Sequence, residues 1–135
     1  MDITAILKEW IQLYLKNKDL LQNSIQKFEN TENGFIVHKT TGITRFLIKA
    51  ELQNIQEIIE KQITGLVVLN TRKNLQFTIS NWEQIAKIKE LCIFFVNPSA
   101  DQKWILYPYT HNQITEKAAL KRGLESIFSM VPEYI

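Results

Sequence analysis

The sequence predicts a single three-layer α/β domain (residues 1–135) on a mixed sheet, with elements in the order α-β-β-β-α-β-α-β-β-α. Three observations predict it. Leu66-Val67-Val68-Leu69 and Leu91-Cys92-Ile93-Phe94-Phe95-Val96 are almost unbroken apolar runs, the mark of strands covered on both faces. Each is preceded by a stretch of helical periodicity, and a doubly covered strand entered through a helix implies a parallel crossover. Upstream, the connections around Asn33-Gly34 and Thr40-Thr41-Gly42 are too short for any crossover, so the strands they join run antiparallel.

The elements follow in order. Over residues 3–15, Ile3, Ile6, Leu7, Trp10, Leu13 and Tyr14 recur at three- and four-residue spacing, a helix with Asp2 as its N-cap. Residues 22–29, Phe35–Lys39 and Ile43–Lys49 form a meander. From Glu51 to Ile63 a helix places Leu52, Ile55, Ile58, Ile59 and Ile63 on one face. Residues 72–90 carry both periods. Leu75, Ile79, Trp82 and Ala86 fit a helical stripe, Leu75, Phe77 and Ile79 alternate like a strand, and the length favours one helix capped by Thr71. After the second apolar strand, Trp104–Tyr107 returns antiparallel, residues 107–112 form a loop, and a last helix runs from Thr115 to Val131 before Pro132. Gly123 on its apolar stripe implies close backbone packing.

The chain of 135 residues is long enough to bury a core without staples. Apolar residues at 45% and charged residues at 22% match an ordinary globular domain, which excludes a disordered tail, a collagen-like fibre and a coiled-coil rod. The one cysteine excludes a disulfide scaffold and a Cys-rich zinc module; inside its apolar run, Cys92 reads as a buried, inert thiol. No apolar run approaches the roughly 20 residues of a membrane span. The net charge is +2. Residues 1–67 carry eight charges of each sign, and residues 68–135 carry eight positive and six negative. That balance excludes a general polyanion binder and leaves room for a local basic site. The start, Met1-Asp2-Ile3-Thr4, is acidic, and Lys8, Glu9 and Gln12 interrupt the stretch after it, so no signal-peptide pattern is seen and a cytoplasmic protein is expected.

Ligands of open parallel sheets bind outside the carboxyl ends of the strands. Lys49, Asn70-Thr71-Arg72-Lys73 and Asn97-Pro98-Ser99 all close strand segments, so with parallel strands they share one edge. Arg72 and Lys73 also fall in the first turn of a helix, where free N–H groups attract anions. The four glycines form no phosphate-binding loop. His38 reads as a strand residue. His111 lies among Tyr107, Tyr109 and Thr110, and Asn97, Tyr109 and His111 are candidate partner contacts. No histidine pair has metal spacing, and no Ser, Cys or His stands in a nucleophile motif, so neither a metal nor another cofactor is expected.

The element order resembles that of the restriction-endonuclease-like superfamily, the PD-(D/E)xK nucleases and Holliday-junction resolvases. In active members an acidic residue on the second strand and a Glu-x-Lys on the third hold magnesium and orient water. Here the third strand reads Leu47-Ile48-Lys49: the lysine matches and the glutamate position is leucine. The second offers Val37, His38 and Lys39 and no carboxylate. The resemblance therefore implies a catalytically degenerate member, in which Lys49 is either a relic facing a phosphate cleft or a solvated strand end. It leads to a non-catalytic nucleic-acid-binding module with Arg45, Lys49, Arg72 and Lys73 on phosphates. The rival expectation is a protein-interaction or homodimer module using a patch of Trp104, Tyr107, Tyr109 and Phe77. A small metal-free enzyme using Lys49 or His111 is the least supported reading.

Overall fold

The computed structural model describes residues 2–135. The first helix, α1 (Ile3–Lys18), starts where the Asp2 carboxylate accepts the Ala5 N–H at 2.9 Å. It ends at Asp19, whose carboxylate turns back to accept from the Ser24 hydroxyl and from the N–H groups of Ser24 and Ile25. Those bonds, the Ser24 hydroxyl first, hold the Asp19 carboxyl below its ordinary pKa.

The meander follows as β1 (Ile25–Thr31), β2 (Gly34–Lys39) and β3 (Gly42–Ile48), antiparallel throughout. The chain then passes through α2 (Ile55–Glu60) to β4 (Gly65–Leu69), which runs parallel to β3. Two helices, α3 (Arg72–Ser80) and α4 (Trp82–Ile85), lead to β5 (Cys92–Asn97), parallel to β4 with Leu66 beside Ile93 and Leu69 beside Val96. Strand β6 (Gln102–Leu106) returns antiparallel, followed by α5 (Pro108–Ile114) and α6 (Lys117–Ser129). The six strands lie in sequence order across the sheet. Both apolar runs are thus central and parallel, and every residue of β4 is buried.

Alternation along the strands builds two cores. On one face Leu47, Leu66, Val68, Ile93, Phe95, Trp104 and Leu106 pack under residues of α2, α3, α4 and α6. On the other, Phe35, Val37, Ile48, Val67, Leu69, Phe94 and Val96 pack under Leu7 and Ile11 of α1. The result is the expected three layers. Among the described residues no helix is long and apolar enough to cross a membrane.

Several boundaries differ from the sequence reading, each for a local reason. The helix expected over 51–63 is only α2. Strand pairing continues past β3, with Lys49 N–H donating to Val67 O and Leu69 N–H to Ala50 O, and Asn74 then takes the Leu52 N–H. The helix starts only where the Asn54 side chain caps Gln56 N–H. The helix expected over 72–90 breaks at Asn81, whose backbone leaves the helical region (φ −111°, ψ 21°) while its side chain bonds Phe77 O. Residues 107–112 form most of a helix rather than a loop, because Pro108 is suited to a first turn. Thr115, extended at φ −117° and ψ 132°, separates that helix from α6.

Gly123 also departs from expectation, since a methyl group there meets nothing within 4 Å. Gly123→Ala is therefore expected to stabilise the protein by about 0.5–1 kcal/mol through helix propensity alone. A urea midpoint that moves up confirms this, and a drop reveals packing that the structure does not show.

Candidate binding surfaces

The carboxyl ends of β3, β4 and β5 meet, and Lys49, Asn70, Arg72, Lys73 and Asn97 gather there. The crevice is filled from within. Asn70 is fully buried; its Oδ1 accepts the Trp104 Nε1–H at 2.8 Å, and its Nδ2 donates to Val131 O and Pro132 O. Asn97 donates to Pro132 O and accepts from the N–H groups of Ser99 and Ala100. Residues 131–134 thus cross the strand ends, with Val131 in one core and Tyr134 against the other. Tyr134 N–H closes the crossing on Asn70 O.

The cations at this edge are already matched. Lys49 Nζ lies 3.0 Å from Glu57, Lys73 Nζ 2.5 Å from Glu51, and the Arg72 guanidinium 3.8 Å from Glu125 and 5.1 Å above the Phe128 ring. At the start of α3, where an anion belongs, Arg72 N–H donates to the Glu133 carboxylate at 2.8 Å. Four carboxylates thus face three cations at this edge.

Arg45 is elsewhere. Its carbonyl accepts the Thr64 N–H just before β4 begins, at the opposite end of the sheet, so the four predicted phosphate contacts do not form one site. Tyr109 and His111 also lie away from Asn97: β6 ends beside Ile93, at the start of β5, and α5 follows there. His111 stands edge-on to Trp82, its buried Nε2 without a hydrogen-bond partner, and burial lowers its pKa. Lys89 hovers 5.9 Å from the Tyr109 ring.

The expected aromatic patch does not exist. Trp104 is buried and stacks on Phe95 at 4.1 Å, Phe77 packs against the core, and only Tyr107 is well exposed. Cys92 is half-buried rather than fully buried, and burial pushes its thiol up to about 11, so it stays protonated and unreactive at neutral pH. Leu47, which the sequence sets two residues before Lys49, is a core residue, and so is Val37 on the neighbouring strand. Among the described residues no three His, Cys, Asp or Glu side chains gather to hold a metal.

The surface that sequence reasoning missed is the outer face of the meander. Cross-strand pairing puts Lys27, Glu29, Ile36, His38, Ile43 and Arg45 on the face that carries α2, α3, α4 and α6 further along the sheet. Those helices stop short of it: Ile36 and Ile43 belong to neither core, and Ile43 is 52% exposed. Two open depressions border it. One of about 200 Å³ is lined by Ile36, Arg45, Lys61 and Ile63, and one of about 550 Å³ by Ile43, Arg45, Ile63 and Ile88. The alternation Ile43-Thr44-Arg45-Phe46-Leu47 was the available signal, because it puts an isoleucine and an arginine on the face of a core leucine.

Comparison with protein-family models, curated proteins and solved structures finds no match to this chain.

Proposed function

We propose that this chain is a non-enzymatic protein-binding module whose contact surface is the uncovered face of β1, β2 and β3. One observation carries the reading. Ile36 and Ile43 stand outside both cores beside Arg45, on a sheet face that no helix covers. Arginine is enriched at protein contacts, and their buried centres are more apolar than the surrounding surface. The carboxyl edge, by contrast, has its polar groups bonded internally and its cations matched.

A photo-crosslinking amino acid replacing Ile43 tests this in cells producing the full chain, with the same group replacing Arg72 as comparison. The expected result is a discrete adduct from position 43 that protease removes and nuclease does not. A nuclease-sensitive adduct from position 72, with none from position 43, overturns the reading.

A nucleic-acid-binding, nuclease-like module is the second reading. The position of Arg72 and Lys73 at the start of α3, on the same edge as Lys49, favours it. On that reading a phosphate displaces Glu133 from the Arg72 N–H.

A further inference from the structure

We infer that the free border of β1 binds a second copy of this chain, strand against strand, about a two-fold axis through Phe28. The inference needs only the sheet border and stands whether or not the uncovered face binds another protein.

The sheet has two borders, β1 and β6, and among the described residues the only strand bonded to β1 is β2. The direction of β1's unused backbone groups follows from the hairpins. Both close on two-residue loops, at the pairs Thr31–Gly34 and Lys39–Gly42. The pair closing such a loop exchanges both backbone bonds, and bonded and non-bonded pairs then alternate. Gly34, Ile36 and His38 of β2 therefore serve β1, while Phe35, Val37 and Lys39 serve β3, which uses both sides of the middle strand consistently. On β1, Lys27, Glu29 and Thr31 are committed to β2, and the N–H and C=O groups of Phe28 and Asn30 point away from the sheet. The register shift at the start of the strand leaves Gln26 opposite no β2 residue.

The segment Gln26-Lys27-Phe28-Glu29-Asn30 complements itself. Paired antiparallel about Phe28, it puts Phe28 opposite Phe28 of the second copy, Gln26 opposite its Asn30, and Lys27 opposite its Glu29. The symmetry repeats each contact, as in any isologous interface. The groups are available: most of β1 beyond Ile25 and Phe28 is exposed, and Lys27 is in no ion pair among the described residues. Among the described residues the one ion pair of Glu29 is with His38, at 2.8 Å. On the other face the Phe28 ring is held by Phe35 and by the Lys16 ammonium, which fixes the centre of the pairing. The opposite border has no such complementarity. Pairing β6 about Trp104 sets the Lys103 ammonium against Ile105 of a second copy. The β1 pairing joins two sheets into one of twelve strands, with both uncovered faces on the same side.

Light scattering and sedimentation equilibrium of the full chain test the inference. The wild type is expected to dimerise at concentrations on the order of 10 μM. Lys27→Glu and Glu29→Lys each set like charges opposite one another at two symmetric crossings, and each is expected to weaken the dimer at least about tenfold. Their equimolar mixture restores opposite charges at both crossings and is expected to form heterodimers about as well as the wild type. Circular dichroism checks that each variant folds. Amide exchange of the unmodified protein reads the same contact, since Phe28 and Asn30 should exchange more slowly as concentration rises. A wild type that stays monomeric at about 500 μM overturns the inference. So does a dimer indifferent to both charge reversals, a mixture no tighter than its components, or concentration-independent exchange at Phe28.

Discussion

Replacing Asn74 with alanine is expected to cost about 3–5 kcal/mol of stability, the largest effect of any single polar substitution in this fold. Asn74 is fully buried near the start of α3 and binds three backbone groups from two other segments. Its Oδ1 accepts the Leu52 N–H at 2.8 Å, and its Nδ2 donates to Ala50 O at 2.9 Å and Leu69 O at 2.8 Å. Alanine leaves the Leu52 N–H unsatisfied in the core, at about 1–3 kcal/mol, and takes one of two bonds from each carbonyl, at about 0.5–1.5 kcal/mol apiece, since Ala50 O keeps the Leu69 N–H and Leu69 O keeps the Thr71 N–H. Asn74→Asp is expected to be as damaging, because it keeps the acceptor, loses both donors and adds a buried charge. Urea denaturation gives the number. A loss under about 1 kcal/mol for Asn74→Ala would mean that water reaches these groups and that the side chain does not organise the crossover.

Asn70→Ala is expected to cost about 2–4 kcal/mol and to loosen residues 131–134 specifically. It orphans the Trp104 indole N–H and frees the carbonyls of Val131 and Pro132, leaving Asn97 to hold Pro132 alone. The amide of Tyr134, bonded to the backbone carbonyl of Asn70, should exchange at least about tenfold faster in the variant, while amides in β2 and β3 keep their relative protection. Uniform acceleration across the sheet would show that the segment is part of the global unfolding unit rather than a strap over the strand ends.

The fold was legible where hydrophobic pattern and chain geometry speak together. The two apolar runs became β4 and β5, parallel and central, and the two short turns became the antiparallel hairpins. Element order follows from such features because burial on two faces leaves few places for a strand. The helix boundaries were less legible because single asparagines decide them. Asn54, Asn74 and Asn81 use their side chains on backbone groups and so override a periodicity that continues past them.

The site was legible only in part. Placing Lys49, Arg72 and Lys73 on one edge needed only strand direction, and the sheet puts them there. What position alone does not reveal is that Glu51, Glu57, Glu125 and Glu133 arrive at the same edge from α2, α6 and the flanking segments. Arg45, expected on phosphates with them, does not join them, because four residues of strand, at about 3.3 Å each, carry it to the other end. Tyr109 and His111 were separated from Asn97 by the same strand geometry, since β6 runs back along β5.

The chain itself closes the carboxyl edge of the sheet and pairs its cations, and the function proposed above assigns binding to the uncovered β1–β3 face. Fluorescence anisotropy at low salt, about 50 mM, where phosphate contacts are strongest, tests it most directly with labelled single-stranded, duplex and branched DNA and RNA. No saturable binding of any of them is expected. Saturable binding that Lys49→Ala, Arg72→Ala or Lys73→Ala abolishes would contradict that assignment and place the working surface at the strand ends.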